Sequence, residues 1–122
     1  VLLVEEDSGI AGLIELLLQD EFGIQVVTAR DPEDAMERSA HFNPALILLD
    51  VDTYHHYDLE TALEIVERAQ PLRARHSVPV IGLSAHFSAY DLAEARFDDF
   101  VGKPFDIDLL IRKVRRQLSR TT

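Results

Sequence analysis

Short apolar runs of strand length alternate along the chain with longer stretches in which apolar residues recur at helical spacing. This alternation is typical of a parallel sheet whose crossover helices cover both of its faces. The five predicted strands cover residues 1–4, 25–29, 45–49, 78–83 and 100–102. The third is the most apolar, which predicts that it lies at the centre of the sheet.

The predicted helices follow the strands in turn. Four of them begin with residues that favour helix N-termini, and these are Ser8, Asp31 with Pro32, Ser88 and Asp106. In the first helix, the residues expected on the core-facing side are Ile10, Leu13, Leu17 and Leu18. The third helix is predicted over residues 58–69, before Pro71, and the fourth is a short helix that ends near Arg96.

The composition narrows the class of protein. A length of 122 residues with 47% hydrophobic residues suits one domain, residues 1–122. The chain has no cysteine, which excludes disulfides and thiolate metal sites and makes a cytoplasmic protein the simplest interpretation. The net charge of −10 opposes direct binding of nucleic acid, and no apolar run approaches the roughly 20 residues of a membrane span. Because the chain opens inside a predicted strand, we expect a fragment that lacks N-terminal residues.

Polar side chains follow the predicted strands at their carboxyl ends, where open α/β sheets bind their ligands. They are Glu5, Glu6 and Asp7 after the first strand, Asp50 and Asp52 after the third, Ser84 after the fourth and Lys103 after the fifth. If the first and third strands are neighbours, as in the strand order 2-1-3-4-5, the acids of both strands meet in one crevice. A hydroxyl and an ammonium group then lie beside them.

Crowded carboxylates of this kind need a cation, because two of them about 4 Å apart repel by roughly 4 kcal/mol at an effective dielectric constant near 20. Mg²⁺ fits best, since it takes one or two carboxylates and leaves coordination positions for phosphate oxygens. Asp50 is the candidate nucleophile because it directly follows the apolar residues 46–49 on a rigid strand. Lys103 and Ser84 can then stabilise the oxygens of a transferred phosphoryl group.

Four motifs, in the order of the strand ends, resemble those of the receiver domains of two-component response regulators. They are Val-Glu-Glu-Asp at 4–7, Leu-Leu-Asp at 48–50, Leu-Ser-Ala at 83–85 and Lys-Pro-Phe at 103–105. The resemblance covers essentially the whole chain. It implies a flavodoxin-like fold, a doubly wound five-stranded parallel sheet of order 2-1-3-4-5 with helices on both faces.

The resemblance also implies a role for each site residue. Asp50 would accept the phosphoryl group with the help of Ser84 and Lys103, and Lys103 would precede a proline reached through a cis peptide bond. The implied Mg²⁺ ligands are Glu5, Glu6, Asp50 and the backbone carbonyl of Asp52. Ser84 and Phe100 are implied as the switch residues, and Asp52 and His86 as residues that tune dephosphorylation.

Three departures from the family pattern bear on these roles. Glu6 stands where the family normally has Asp, and the longer side chain disturbs the tight geometry that Mg²⁺ requires. The loop after Asp50 lacks the common Pro-Gly turn, and its adjacent His55 and His56 have no further ligand at metal-binding spacing, so we assign them no chemistry. The segment from Ser84 to Lys103 is about three residues shorter than usual, which predicts a trimmed fourth helix.

Three functions remain open. The leading one is a phosphorylation-dependent switch that receives its phosphoryl group from a histidine kinase or phosphotransfer protein, and is no turnover enzyme. The second is a degenerate receiver that acts as a phosphorylation-independent interaction module. The third is a phosphatase of the haloacid dehalogenase type, which the position of the acids before Asp50 disfavours.

The expected additional partner is a second copy of the chain. The homodimer would form through the predicted fourth helix, fifth strand and last helix. Opposite charges would pair across a two-fold axis, with Asp91, Glu94 and Asp99 on one side and Lys113, Arg116 and Arg120 on the other. Whether an effector domain accompanies the chain stays open at this point.

Overall fold

The computed structural model describes residues 1–52 and 58–119, except for the side chain of Glu94. Its centre is a five-stranded sheet in the order β2-β1-β3-β4-β5, in which every pair of neighbours is parallel. The strands are β1 Leu2–Val4, β2 Val27–Ala29, β3 Ile47–Asp50, β4 Val80–Ser84 and β5 Asp99–Gly102. The predicted doubly wound fold with its strand order is therefore confirmed.

The helices lie on both faces of this sheet, and the sheet separates two hydrophobic cores. They are α1 Ser8–Phe22, α2 Pro32–Arg38, α3 Leu59–Arg68, α4 Gln70–His76 and α5 Ile107–Ser119. Side chains of a strand alternate between the faces, so Leu2 and Val4 enter the core with α2, α3 and α4 while Leu3 enters the core with α1 and α5. Burial on both faces explains why β1 and β3 read as continuous apolar runs.

The start of α1 corrects one prediction. Asp7, and not Ser8, is the N-cap, because the Asp7 carboxylate accepts hydrogen bonds from the backbone N–H groups of Gly9 and Ile10 at 2.8 and 3.1 Å. Both residue types are good N-caps, and the sequence offered them side by side. The shift by one residue leaves the predicted helix in place.

The buried face of α1 matches the prediction only in part: Leu18 is buried and Ile10 packs against the core, as predicted. Its fully buried residues are Ala11, Ile14 and Leu18, spaced by three and four residues, while Leu13 is 46% exposed. The helix carries six leucines and isoleucines within nine positions, so more than one apolar stripe fits the pattern. Packing against the sheet selects the stripe that contains the small Ala11.

The segments on either side of β4 differ from the prediction. The helix α3 ends at Arg68, before Pro71, as predicted, but the sequence analysis missed the additional helix α4 that follows it. Pro71 lies in the first turn of α4, where the missing proline N–H leaves no hydrogen bond unmade. The predicted fourth helix between Ser88 and Arg96 is absent, and the segment contains only a 3₁₀ turn over Ala93–Ala95. Ser88 does exchange hydrogen bonds with Asp91, but they close a turn that does not continue as a helix.

The topology positions the site. Because all five strands are parallel, the residues that follow β1, β3, β4 and β5 meet at one edge of the sheet. In the sheet register, Asp50 of β3 pairs with Leu83 of β4, the residue before Ser84. Ser84 in turn pairs with Gly102 of β5, the residue before Lys103. Among the described ranges 1–52 and 58–119, no helix is both long and apolar enough to cross a bilayer.

Candidate phosphoacceptor site

Three charged groups form the centre of the site, and we call Glu5, Asp50 and Lys103 the acid pocket. The Lys103 ammonium lies 3.1 Å from Oδ1 of Asp50 and 3.2 Å from Oε2 of Glu5. All three side chains are nearly inaccessible to solvent, with exposures of 1% for Glu5, 5% for Asp50 and 10% for Lys103. Two buried carboxylates therefore share one cation, which leaves an excess of negative charge.

The excess of negative charge favours the protonated form of Asp50. Burial of the carboxyl group, followed by the negative charge of Glu5 and a hydrogen bond with it, raises the pKa of Asp50 to about 8. The ammonium of Lys103 and the backbone N–H of Asp52, which donates to Asp50 Oδ1 at 3.0 Å, oppose this rise without cancelling it. An additional cation near Asp50 would therefore strongly stabilise its ionised form.

Lys103 is held from two directions. Its backbone N–H donates to the carbonyl of Ser84 at 2.8 Å, and the peptide bond to Pro104 is cis, as predicted. Burial lowers the pKa of the Lys103 side chain, but the charges of Asp50 and Glu5 outweigh burial and raise the pKa overall. Lys103 therefore stays charged at neutral pH, as a group that neutralises a phosphoryl oxygen must.

Next to the acid pocket lies a second set of groups, which we call the clasp: the carboxylate of Asp52, the hydroxyl of Ser84 and the N–H of Ala85. The Ser84 hydroxyl donates to Oδ1 of Asp52 at 2.6 Å, and the Ala85 N–H donates to Oδ2 at 2.8 Å. The Lys103 ammonium is 3.9 Å from the same Oδ2. Both oxygens of Asp52 are thus engaged by donors on the end of β4.

Ser84 is fixed by further bonds. Its Oγ accepts the N–H groups of His86 and Phe87, each at 3.0 Å, so the hydroxyl has one direction left in which to donate, toward Asp52. Ser84 is only 1% exposed. His86 therefore contributes its backbone to the site, whereas its side chain lies in an exposed position.

Phe100, the predicted switch aromatic, is half-buried on β5 and packs against Phe97, with ring centroids 5.9 Å apart. The two rings cover Gly82 of β4, where an added Cβ would lie 2.8 Å from Phe97 and 2.9 Å from Phe100. Gly82 is two residues before Ser84, so the aromatic pair lies directly beside the strand that carries the switch hydroxyl. The switching role itself stays a prediction.

The predicted Mg²⁺ ligands are brought together only in part. Glu5 and Asp50 share the acid pocket, while Glu6 is exposed to solvent. Within residues 1–52 and 58–119, no three histidine, cysteine, aspartate or glutamate side chains form a group able to hold a metal ion. Two buried carboxylates with too little positive charge nevertheless fit Mg²⁺, which takes one or two carboxylates and completes its shell with water and phosphate oxygens. The role of the Asp52 carbonyl stays a prediction.

Two of the charged residues expected on opposite sides of a dimer surface, Lys113 and Asp99, pair within the chain. Lys113 forms an ion pair with Asp99 of its own chain at 2.9 Å and donates a hydrogen bond to the Phe100 carbonyl. Arg120, the side chain of Glu94, and His55 with His56 lie outside the described part of the chain. The helix predicted as part of this surface is reduced to a 3₁₀ turn over Ala93–Ala95.

Sequence reasoning missed the contribution of two groups to the site. The Asp52 carboxylate was assigned only a backbone role and an effect on dephosphorylation, although Asp50 and Asp52 are two residues apart and extended residues at that spacing face the same side. That spacing was a usable signal. The Ala85 N–H carries no signal, because every residue except proline has one.

The chain is similar in sequence to a known protein family. The profile of the family "Response regulator receiver domain" matches residues 1–115. The response regulator ArlR of Staphylococcus aureus is 28% identical over 98% of this chain, and the match covers 52% of ArlR. The chain thus spans about half the length of the curated relatives it matches.

Solved structures agree in fold and in size. The receiver domain of NtrX from Brucella abortus is 27% identical, with a TM-score of 0.79 and 97% of each chain covered. The Francisella response regulator 1452 receiver domain is 29% identical, with a TM-score of 0.75, 99% of this chain and 97% of that chain covered. Both superpose on nearly all of the described fold.

Proposed function

Since this chain belongs to the response regulator receiver domain family of two-component systems, we propose that it is a switch that accepts a phosphoryl group on Asp50. The acid pocket carries the proposal. Asp50 ends a rigid central strand, is buried beside a second carboxylate, and lies 3.1 Å from an ammonium. A carboxylate so placed at the carboxyl edge of a parallel sheet suits nucleophilic phosphoryl chemistry.

In the proposed step, a carboxylate oxygen of Asp50 forms a bond to phosphorus. The donor is a phosphohistidine of a kinase or phosphotransfer protein. Its phosphorus–nitrogen bond breaks at the same time, and the imidazole of the donor histidine leaves with the electron pair. Lys103 would neutralise one phosphoryl oxygen. The Ser84 hydroxyl and the Ala85 N–H would donate to another, once Asp52 releases them.

The group that this chemistry needs besides the protein is a divalent cation, and Glu5 and Asp50 are the residues that would hold Mg²⁺. When bound, Mg²⁺ supplies positive charge to the carboxylates and to the phosphoryl oxygens. The raised pKa of Asp50 supports this assignment, because a group protonated near neutral pH is a poor nucleophile without added positive charge.

The proposed role is signalling, with the domain catalysing only its own phosphorylation and dephosphorylation in the cytoplasm. Phosphorylation would alter the surface of β5 and α5 through Ser84 and Phe100. The affinity of this surface for a partner would change by a coupling free energy of about 1–3 kcal/mol. A homodimer through this surface, as expected from the sequence, stays a prediction. Sedimentation with and without a phosphodonor measures it.

The test of the proposed function uses a small phosphodonor. Incubation with acetyl phosphate and Mg²⁺ should add the mass of one phosphoryl group to the intact protein, labile to base as acyl phosphates are. Asp50→Asn should add none, and Glu5→Gln should add it more slowly. A wild-type protein that stays unmodified at millimolar donor would overturn the proposal and favour a phosphorylation-independent interaction module.

A further inference from the structure

The clasp holds an anion where a phosphoryl oxygen would bind. Asp52 takes two short hydrogen bonds, from the Ser84 hydroxyl at 2.6 Å and from the Ala85 N–H at 2.8 Å, with the Lys103 ammonium 3.9 Å away. A hydroxyl, an N–H and an ammonium that converge on one point form a site for an anion. The proposed function requires the same donors for the group transferred to Asp50.

Asp52 and the phosphoryl group therefore compete. Each donor proton makes one strong hydrogen bond. The Ser84 oxygen already accepts the N–H groups of His86 and Phe87, and these bonds fix the direction of its own proton. The hydroxyl can therefore donate to Asp52 or to a phosphoryl oxygen, but not to both. A phosphoryl group also carries negative charge, and two anions within contact distance in a poorly solvated pocket repel strongly. Asp52 has to turn away before the phosphoryl group can settle.

Resting on the proposed function, we propose that Asp52 is a positioning residue whose carboxylate fills the phosphoryl subsite of the unphosphorylated domain. It holds the Ser84 hydroxyl in the inward position that phosphorylation would otherwise induce. Two consequences follow. Phosphorylation of Asp50 is slowed, because Asp52 must be displaced, and the position of Ser84 changes less on phosphorylation than it would without Asp52.

The experiment compares Asp52→Ala and Asp52→Asn with the wild-type protein. Asp91→Ala is the matched control, because Asp91 also accepts a serine hydroxyl and a backbone N–H, those of Ser88, in the segment between β4 and β5 and outside the site. Without phosphodonor, amide NMR follows the Ala85 N–H. We expect Asp52→Ala to shift this resonance and speed its exchange with solvent at least tenfold, Asp52→Asn to have a smaller effect, and Asp91→Ala none.

With acetyl phosphate and Mg²⁺, the initial rate of phosphoryl incorporation is measured by intact mass, so that later dephosphorylation does not enter. We expect the rate to rise about five- to twentyfold in Asp52→Ala, less in Asp52→Asn, and not in Asp91→Ala. A side chain that only supported the fold would lower the rate when removed. An equal or lower rate in Asp52→Ala, or an unmoved Ala85 resonance, would overturn the proposal.

The two arms separate this inference from the proposed function. If wild type and Asp52→Ala both fail to gain mass while the Ala85 resonance moves as expected, Asp50 is not a phosphoacceptor and the proposed function fails. The clasp then stands as a structural feature, and its role in gating phosphorylation is overturned. If both proteins gain mass at equal rates, the proposed function stands and the gating role alone fails.

Discussion

Asp50 and Asp52 are two residues apart, and the structure gives their carboxylates opposite surroundings. Asp50 is in the acid pocket, where it shares one ammonium with a second buried carboxylate and has its pKa raised to about 8. Asp52 is in the clasp, where two short hydrogen bonds satisfy both of its oxygens. The Asp50 carboxylate has too little positive charge around it, whereas both oxygens of the Asp52 carboxylate have hydrogen-bond donors.

This difference shows what each region can bind. A deficit of positive charge among buried groups favours a cation and, with it, a transferable phosphoryl group. A satisfied carboxylate within a ring of donors opposes the entry of another anion. The carboxyl end of β3 therefore carries both Asp50, which favours phosphoryl transfer, and Asp52, which opposes it without reacting itself.

The largest effect is expected when the acid pocket loses its ammonium. Lys103→Met leaves Glu5 and Asp50 buried without a neutralising cation, which should lower the free energy of unfolding by about 3–5 kcal/mol at pH 8. The loss should be smaller at pH 5, because protonation of Asp50 removes part of the repulsion. Urea unfolding followed by circular dichroism measures both values.

Lys113→Met is the matched control for Lys103, because Lys113 also pairs with an aspartate, Asp99, but with 24% of its side chain exposed. A partly exposed ion pair contributes about 0–1 kcal/mol. Equal losses in the two variants would contradict the contrast between a buried, charge-deficient pocket and an ordinary ion pair.

The next effect concerns pH. In the unfolded chain Asp50 releases its proton near pH 4, while in the folded protein its pKa is about 8. Between these values the folded state binds more protons, so stability falls as pH rises. Lys103, whose pKa is raised, stays protonated in both states across this range. In metal-free buffer, we expect Asp50 to reduce stability between pH 5 and 8 by at most about 4 kcal/mol.

Asp50→Asn isolates this contribution, since it keeps the shape of the side chain and removes the titrating group. Its stability should change little between pH 5 and 8, and at pH 8 it should exceed that of the wild type. Chemical unfolding at several pH values decides the question. Parallel curves for wild type and variant would show that burial does not perturb Asp50 as described.

A smaller effect is expected beneath the clasp. Gly82→Ala places a methyl group 2.8 Å from the Phe97 ring and 2.9 Å from the Phe100 ring, so one or both rings must move. Overpacking of this kind costs about 1–3 kcal/mol. Gly12→Ala is the control: no atom lies within 4 Å of an added Cβ on this helix, and alanine there should stabilise by about 0.5–1 kcal/mol. Thermal unfolding distinguishes the two, and a neutral Gly82→Ala would contradict the close packing.

Most of the fold was predictable from the sequence, because buried strands and amphipathic helices have distinct periods. The strand order, the convergence of Asp50, Ser84 and Lys103, and the cis bond before Pro104 follow the expectation. The errors lie where one pattern has two solutions. Asp7 and Ser8 are both good caps, and Pro71, which follows the end of α3 as predicted, also lies in the first turn of the helix α4 that was missed.

The clasp was not predictable in the same way. It depends on the direction in which the Asp52 carboxylate turns and on a backbone N–H, neither of which sequence patterns report. The absent fourth helix has a comparable origin: Ser88 and Asp91 form the hydrogen bonds of a helix start, but the segment continues only as a 3₁₀ turn over Ala93–Ala95. Local capping signals fix where a turn begins and not how far it extends.

The central claim, that Asp50 reacts and its neighbour Asp52 does not, is tested most directly by locating the acyl phosphate. Borohydride reduces an aspartyl phosphate to homoserine, which peptide mass spectrometry assigns to one position. After incubation with acetyl phosphate and Mg²⁺, we expect homoserine at Asp50 alone, in the wild type and in larger yield in Asp52→Ala. Homoserine at Asp52, or modification that persists in Asp50→Asn, would contradict it.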